Sequence, residues 1–99
     1  MPNLIKYNFS AKVWLHEGTG GWYFVSLPLD ISKEIRENLK WQEEGWGRLK
    51  ATAQIQNHEW KTAIWYATKQ NTYILPLKAA IRKKCKIEKD QVIEVSVFV

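Results

Sequence analysis

Two cations four residues apart, Lys78 and Arg82, are the side chains of this sequence best suited to chemistry. On a helix that spacing puts both on one face, where like charges repel by about 0.2–0.5 kcal/mol. A guanidinium fork beside an ammonium is the arrangement that phosphate or carboxylate recognition requires, and a bound anion would relieve the repulsion. Arg48, Lys61 and Thr62, from the middle of the chain, complete the expected ligand-binding set. The competing reading is structural: Lys78 or Arg82 pairs with an acid such as Glu59 or Glu94, or lays its aliphatic stem over apolar surface.

The charge distribution points the same way. The chain has 15 Lys and Arg against 10 Asp and Glu, a formal net charge of +5. The segment from Lys78 to Lys89 holds six of those cations and one acid, so the remainder balances at nine against nine and the whole surplus is local. A concentrated surplus creates a positive potential that attracts anions. Lys83, Lys84 and Lys86 continue the run, and with Arg48, Lys50 and Lys61 they could form a track for nucleic-acid phosphates. Six Trp, four Tyr and three Phe exceed what a small core needs. Each Trp reads first as a core or half-buried ring and second as a surface on which an unpaired base or a partner could stack. Nucleic acid is therefore the alternative partner, although no recognised nucleic-acid motif is present.

Catalytic signals are weaker. His16 and His58 are far apart, each beside a turn, and neither belongs to a nucleophile or metal-binding pattern. Glu43 and Glu44 are neighbours in a loop, a placement that seldom converges on one reacting bond. Cys85 follows Arg82, Lys83 and Lys84, yet without a base partner it reads as a small apolar filler. No active site, cofactor or metal site is expected. A lone cysteine allows no intrachain disulfide and suits a reducing compartment. With no signal-type segment and no run approaching the roughly 20 apolar residues that cross a bilayer, the expectation is a cytoplasmic protein without a membrane partner.

The elements that must position these residues follow from periodicity. Ninety-nine residues suit one domain with one core. Tyr7, Phe9, Ala11, Val13 and Leu15 alternate with Asn8, Ser10, Lys12 and Trp14, the signature of a strand over 7–15. A glycine-rich turn from Glu17 to Gly21 leads into a second strand at Trp22–Leu27, making a hairpin. Asp30 or Ser32 is the expected cap of a short helix carrying Ile31, Ile35 and Leu39 on one stripe. After a loop at 42–47, Arg48–Gln56 alternates again and turns at Asn57-His58 into Trp60–Ala67. A short strand at Thr72–Leu75 ends at Pro76, a helix covers Leu77–Cys85, and Val92–Val99 forms a last strand. The fold expected is mainly β: a small closed or partly open barrel with two short helices.

Larger motifs carry a resemblance. Gly21-Trp22-Tyr23-Phe24-Val25 with Leu27-Pro28, Trp46-Gly47-Arg48-Leu49, Trp60-Lys61-Thr62, the block Tyr73-Ile74-Leu75-Pro76-Leu77-Lys78-Ala79-Ala80-Ile81-Arg82-Lys83, and Asp90-Gln91-Val92 stand in an order similar to that of the family called domain of unknown function 1905. The resemblance covers nearly the whole chain and implies a small barrel of the double-split type; it supplies no function. The chain departs from the family pattern at Gln56-Asn57-His58, where a glycine is usual, at Ala63, where a serine often stands, and at Lys89, which replaces a glycine before Asp90. The functional expectation is a non-catalytic binding module for an anionic small molecule or an acidic protein segment.

Overall fold

The computed structural model describes residues 5–16 and 21–99. Seven antiparallel strands form one sheet: β1 (Lys6–Lys12), β2 (Trp14–His16), β3 (Trp22–Ser26), β4 (Arg48–Ile55), β5 (His58–Ala67), β6 (Thr72–Pro76) and β7 (Val92–Phe98). Their spatial order is β1-β7-β4-β5-β6-β3-β2. The two outermost strands are thus consecutive in the chain. The alternating stretch read as one strand over 7–15 is divided at Val13, which is fully buried and exchanges backbone hydrogen bonds with Gln91 and Asp90 (2.8 Å each). Before this point the chain pairs with β7, and after it with β3. One bent segment therefore joins both margins of a curled, partly open barrel, leaving few edges unpaired.

Alternation builds the core. Leu49, Ala51, Ala53 and Ile55 of β4, Ile93, Val95 and Val97 of β7, and Val25, Tyr73 and Leu75 are buried. Arg48, Lys50, Thr52 and Gln54 stand on the opposite face of β4. Helix α1 (Leu29–Leu39) packs Ile35 fully inside, with Ile31 and Leu39 partly buried beside it. Neither Asp30 nor Ser32 caps this helix. Pro28 occupies the cap position with ψ 154°, outside the helix, and its carbonyl accepts the first helical bond from the Ser32 amide (2.9 Å). Ser32 is instead buried, donating to the Leu27 carbonyl (3.4 Å) and accepting from the Tyr73 amide (3.0 Å), and so ties α1 to β6.

The β4–β5 turn is Gln56-Asn57, one residue earlier than its composition suggests: Ile55 pairs with His58, and Gln56 takes φ +56°. The Gln56 amide donates to the Cys85 carbonyl (3.2 Å), anchoring the end of helix α2 (Ala79–Cys85) at this turn. In the turn before β7, the positive φ falls on Lys86 and Asp90 rather than on Lys89. Asp tolerates that region through its short polar side chain. The glycine-rich turn expected at 17–21 lies, apart from Gly21, outside the described residues. No helix among the described residues is long and apolar enough to cross a membrane.

Candidate functional site

Of the expected site residues, Arg48, Lys61 and Thr62 line one cleft and Lys78 and Arg82 do not. Lys78 is exposed at the N-terminal boundary of α2. Arg82 folds back: its Nε donates to the Leu77 carbonyl (3.0 Å) and its guanidinium lies 4.0 Å from the Tyr23 ring centre. Neither pairs with Glu59 or Glu94, and neither forms an ion pair among the described residues. Lys83, Lys84 and Lys86 are exposed on the last turn of α2 and just beyond it. Because Gln56 fixes this end of α2 at the β4–β5 turn, a strand length of about 23 Å separates it from Arg48 at the other end of β4.

Arg48, Lys61 and Thr62 do border one cleft, Thr62 from the opposite face of β5 to Lys61. With Lys50, Thr52, Trp41, Gln42 and Glu44 they line a cleft of about 900 Å³ along β4. The cations are arranged by the strand itself. Arg48 and Lys50 project from the outer face two residues apart, and Lys61 stands opposite Thr52 on β5, so successive rungs about 7 Å apart each bear a positive charge. Lys50 and Lys61 are exposed and have no ion-pair partner among the described residues. Arg48 forms an ion pair with Glu44, the one acid on the cleft wall, and lies 5.7 Å from the Trp65 ring centre. The pair is substantially exposed, where such contacts are weak and exchangeable.

The β4 margin also offers backbone. Only Thr52, Ala53 and Gln54 pair with β7, and Arg48 pairs with Glu44 through two backbone bonds (2.7 and 3.2 Å). Between those contacts the β4 edge at Lys50 has no strand partner on that side among the described residues.

The loop from Lys40 to Gly47 forms the rim and is firmly held. The Tyr73 hydroxyl, reaching out of the core, donates to the Glu43 carboxylate. Arg36 Nε approaches the same carboxylate at 3.5 Å, while its guanidinium stacks 3.8 Å from the Tyr66 ring centre. Tyr66 meets Tyr73 edge-on at 5.1 Å. Burial, reinforced by the hydrogen bond to the Glu43 anion, pushes the Tyr73 phenol well above its ordinary range. Glu43 is therefore a structural anchor, and the neighbouring Glu44 points to a different partner.

This anchored loop exposes two large rings. Trp41 is 78% exposed, with its indole N–H on the Asn38 carbonyl (3.1 Å), and Trp46 is 96% exposed. Trp46 also has φ +69°, a costly backbone region for a bulky residue. Gly47 follows at φ +74°, where a Cβ would meet that of Tyr66 at 3.1 Å. The remaining Trp residues differ: Trp60 is buried, Trp14 stacks on Phe24 and bonds Ser26, Trp65 lies by Arg48, and Trp22 is exposed on β3. Sequence reading did not distinguish Trp41 and Trp46 from the others; the local signal was a tryptophan between two glycines in a polar loop.

The catalytic suggestions are dispersed. His16 meets the Phe24 ring edge-on, and His58 closes the β4–β5 turn. Cys85 is buried; desolvation raises its thiol pKa despite the opposing influence of Lys84, the reverse of an activated nucleophile.

Strand order and helix placement define a small, mainly β protein, a curled and partly open barrel with a basic cleft on its outer face. The family model described as Domain of unknown function (DUF1905) matches residues 9–97, nearly the whole chain, and the chain belongs to that family. No curated protein matches it.

Proposed function

We propose that this chain is a non-catalytic binding module for an anionic ligand, a small molecule or an acidic protein segment, and that its site is the β4–β5 cleft. The observation that carries this reading is the convergence of Arg48, Lys50, Lys61 and Thr62 on one cleft whose wall holds a single acid, already engaged with Arg48. An incoming phosphate or carboxylate can exchange with Glu44 for the guanidinium fork while the two lysines supply unpaired charge. The basic surface of α2, including Lys78, Arg82, Lys83, Lys84 and Lys86, contributes long-range attraction rather than contact. A cytoplasmic setting is part of this reading, supported by the one cysteine of the sequence, Cys85, which is free and suits a reducing compartment.

Isothermal titration with pyrophosphate, sugar phosphates and dicarboxylates tests the assignment. Lys50→Ala/Lys61→Ala is expected to weaken binding at least tenfold, and Lys78→Ala/Arg82→Ala to leave it within about threefold at physiological salt. Equal binding by wild type and the Lys50/Lys61 variant would remove the cleft from consideration.

A further inference from the structure

The exposed rings point beyond a small anion or an acidic segment to a further kind of anion, and this step rests on the cleft being the binding site. We infer that the cleft takes an unpaired nucleic-acid strand, with its phosphates along Arg48, Lys50 and Lys61 and its bases stacked on Trp41 and Trp46. Three observations lead there. The cations recur at strand rungs about 7 Å apart, a repeat comparable with that of successive phosphates in an extended single strand. Trp41 lines the cleft, and the turn bearing Trp46 is flanked by two cleft residues, Glu44 and Arg48. Finally, the loop holds Trp46 out against both burial and backbone preference: it is 96% exposed at φ +69°, while the Tyr73–Glu43–Arg36 contacts and the Glu44–Arg48 bridge keep the loop closed beneath it.

Stacking explains such a ring better than charge does. A phosphate or carboxylate alone gains nothing from an indole face, whereas every base has a π surface and stacks on it with little regard to sequence. The edge of β4 at Lys50, without a strand partner on that side among the described residues, adds main-chain hydrogen-bonding capacity beside the charges. A double helix hides its base faces, so the same site should prefer a single strand.

Fluorescence anisotropy of a labelled eight-residue oligothymidylate measures this directly, with the full chain at 50 to 200 mM salt. Three phosphate contacts imply a slope of log affinity against log salt of about −2, close to a twentyfold loss over that range. Trp41→Ala and Trp46→Ala are each expected to weaken binding about tenfold. Both rings are exposed, and an unchanged thermal melt separates this loss from unfolding. Competition by a duplex of equal length, polyphosphate and oligoglutamate completes the test. Stronger binding of the single strand than of all three competitors, lost with the tryptophans, supports the inference. Equal or tighter binding of duplex, polyphosphate or oligoglutamate overturns it while leaving the anionic site in place. Indifference to both Trp substitutions also overturns it. Failure to bind any of these anions removes the strand and the anionic site together.

Discussion

Tyr73 carries a hydroxyl from the centre of the core to the loop that bears the exposed Trp41 and Trp46, and its partner Glu43 lies between them in sequence. Removing that hydroxyl leaves a largely buried carboxylate with Arg36 alone, so Tyr73→Phe should cost about 1–3 kcal/mol in chemical denaturation. The same bond sets a pH dependence. Tyr73 keeps its proton above the ordinary tyrosine value, and Tyr7 is pushed up to about 12 by burial and by its hydrogen bond to Glu34 (2.5 Å). Above about pH 10 an unfolded tyrosine begins to lose its proton while the folded one retains it. The folded state then binds more protons, and stability falls as pH rises. Denaturation midpoints between pH 9 and 11 should decline, less steeply in Tyr73→Phe. Glu44 gives a prediction of opposite sign for function: Glu44→Gln frees Arg48, and pyrophosphate should bind several-fold more tightly by calorimetry.

Strands and helices were largely legible because alternation and turn residues are local signals. Leu49, Ala51, Ala53 and Ile55 announce one buried face of β4, and Pro76 ends β6 ahead of α2. The misplaced details are those decided by distant partners. The cap of α1 shifted because Ser32 serves Tyr73, forty-one residues away, and the first strand divides because Val13 binds the turn before β7. The grouping of the candidate cations was only partly legible for the same reason. Strand register places Arg48, Lys50 and Lys61 on one face of the β4–β5 hairpin, with Thr62 on the other face of β5, whereas Lys78 and Arg82 lie at the start of and within α2, where Arg82 packs on Tyr23. The rim loop makes the clearest element-scale prediction. Trp46→Gly relieves a positive φ without losing buried area, so thermal unfolding should show unchanged or slightly raised stability, by up to about 1 kcal/mol, even as stacking is lost. Gly47→Ala should cost about 1–2 kcal/mol, because both φ and Tyr66 oppose a side chain.

For the molecule as a whole, the barrel holds in two groups the cations that sequence reading placed in one candidate site. The surplus charge of 78–89 lies around α2, while the rigid array of cations lies along β4 and β5. A distant positive surface accelerates the approach of an anion more than it slows escape. Stopped-flow binding of a labelled oligonucleotide at low salt should therefore show Lys83→Ala/Lys84→Ala/Lys86→Ala lowering the association rate with little change in dissociation. The most direct test of the cleft as the site is a titration with inorganic pyrophosphate followed by two-dimensional amide NMR of the intact chain. Shifts should concentrate at Arg48, Lys50, Lys61, Thr62 and the Trp41 indole N–H, leaving Ala79–Cys85 nearly still. Perturbations centred on Lys78, Arg82 and the end of α2, with a silent β4–β5 hairpin, would contradict the assignment.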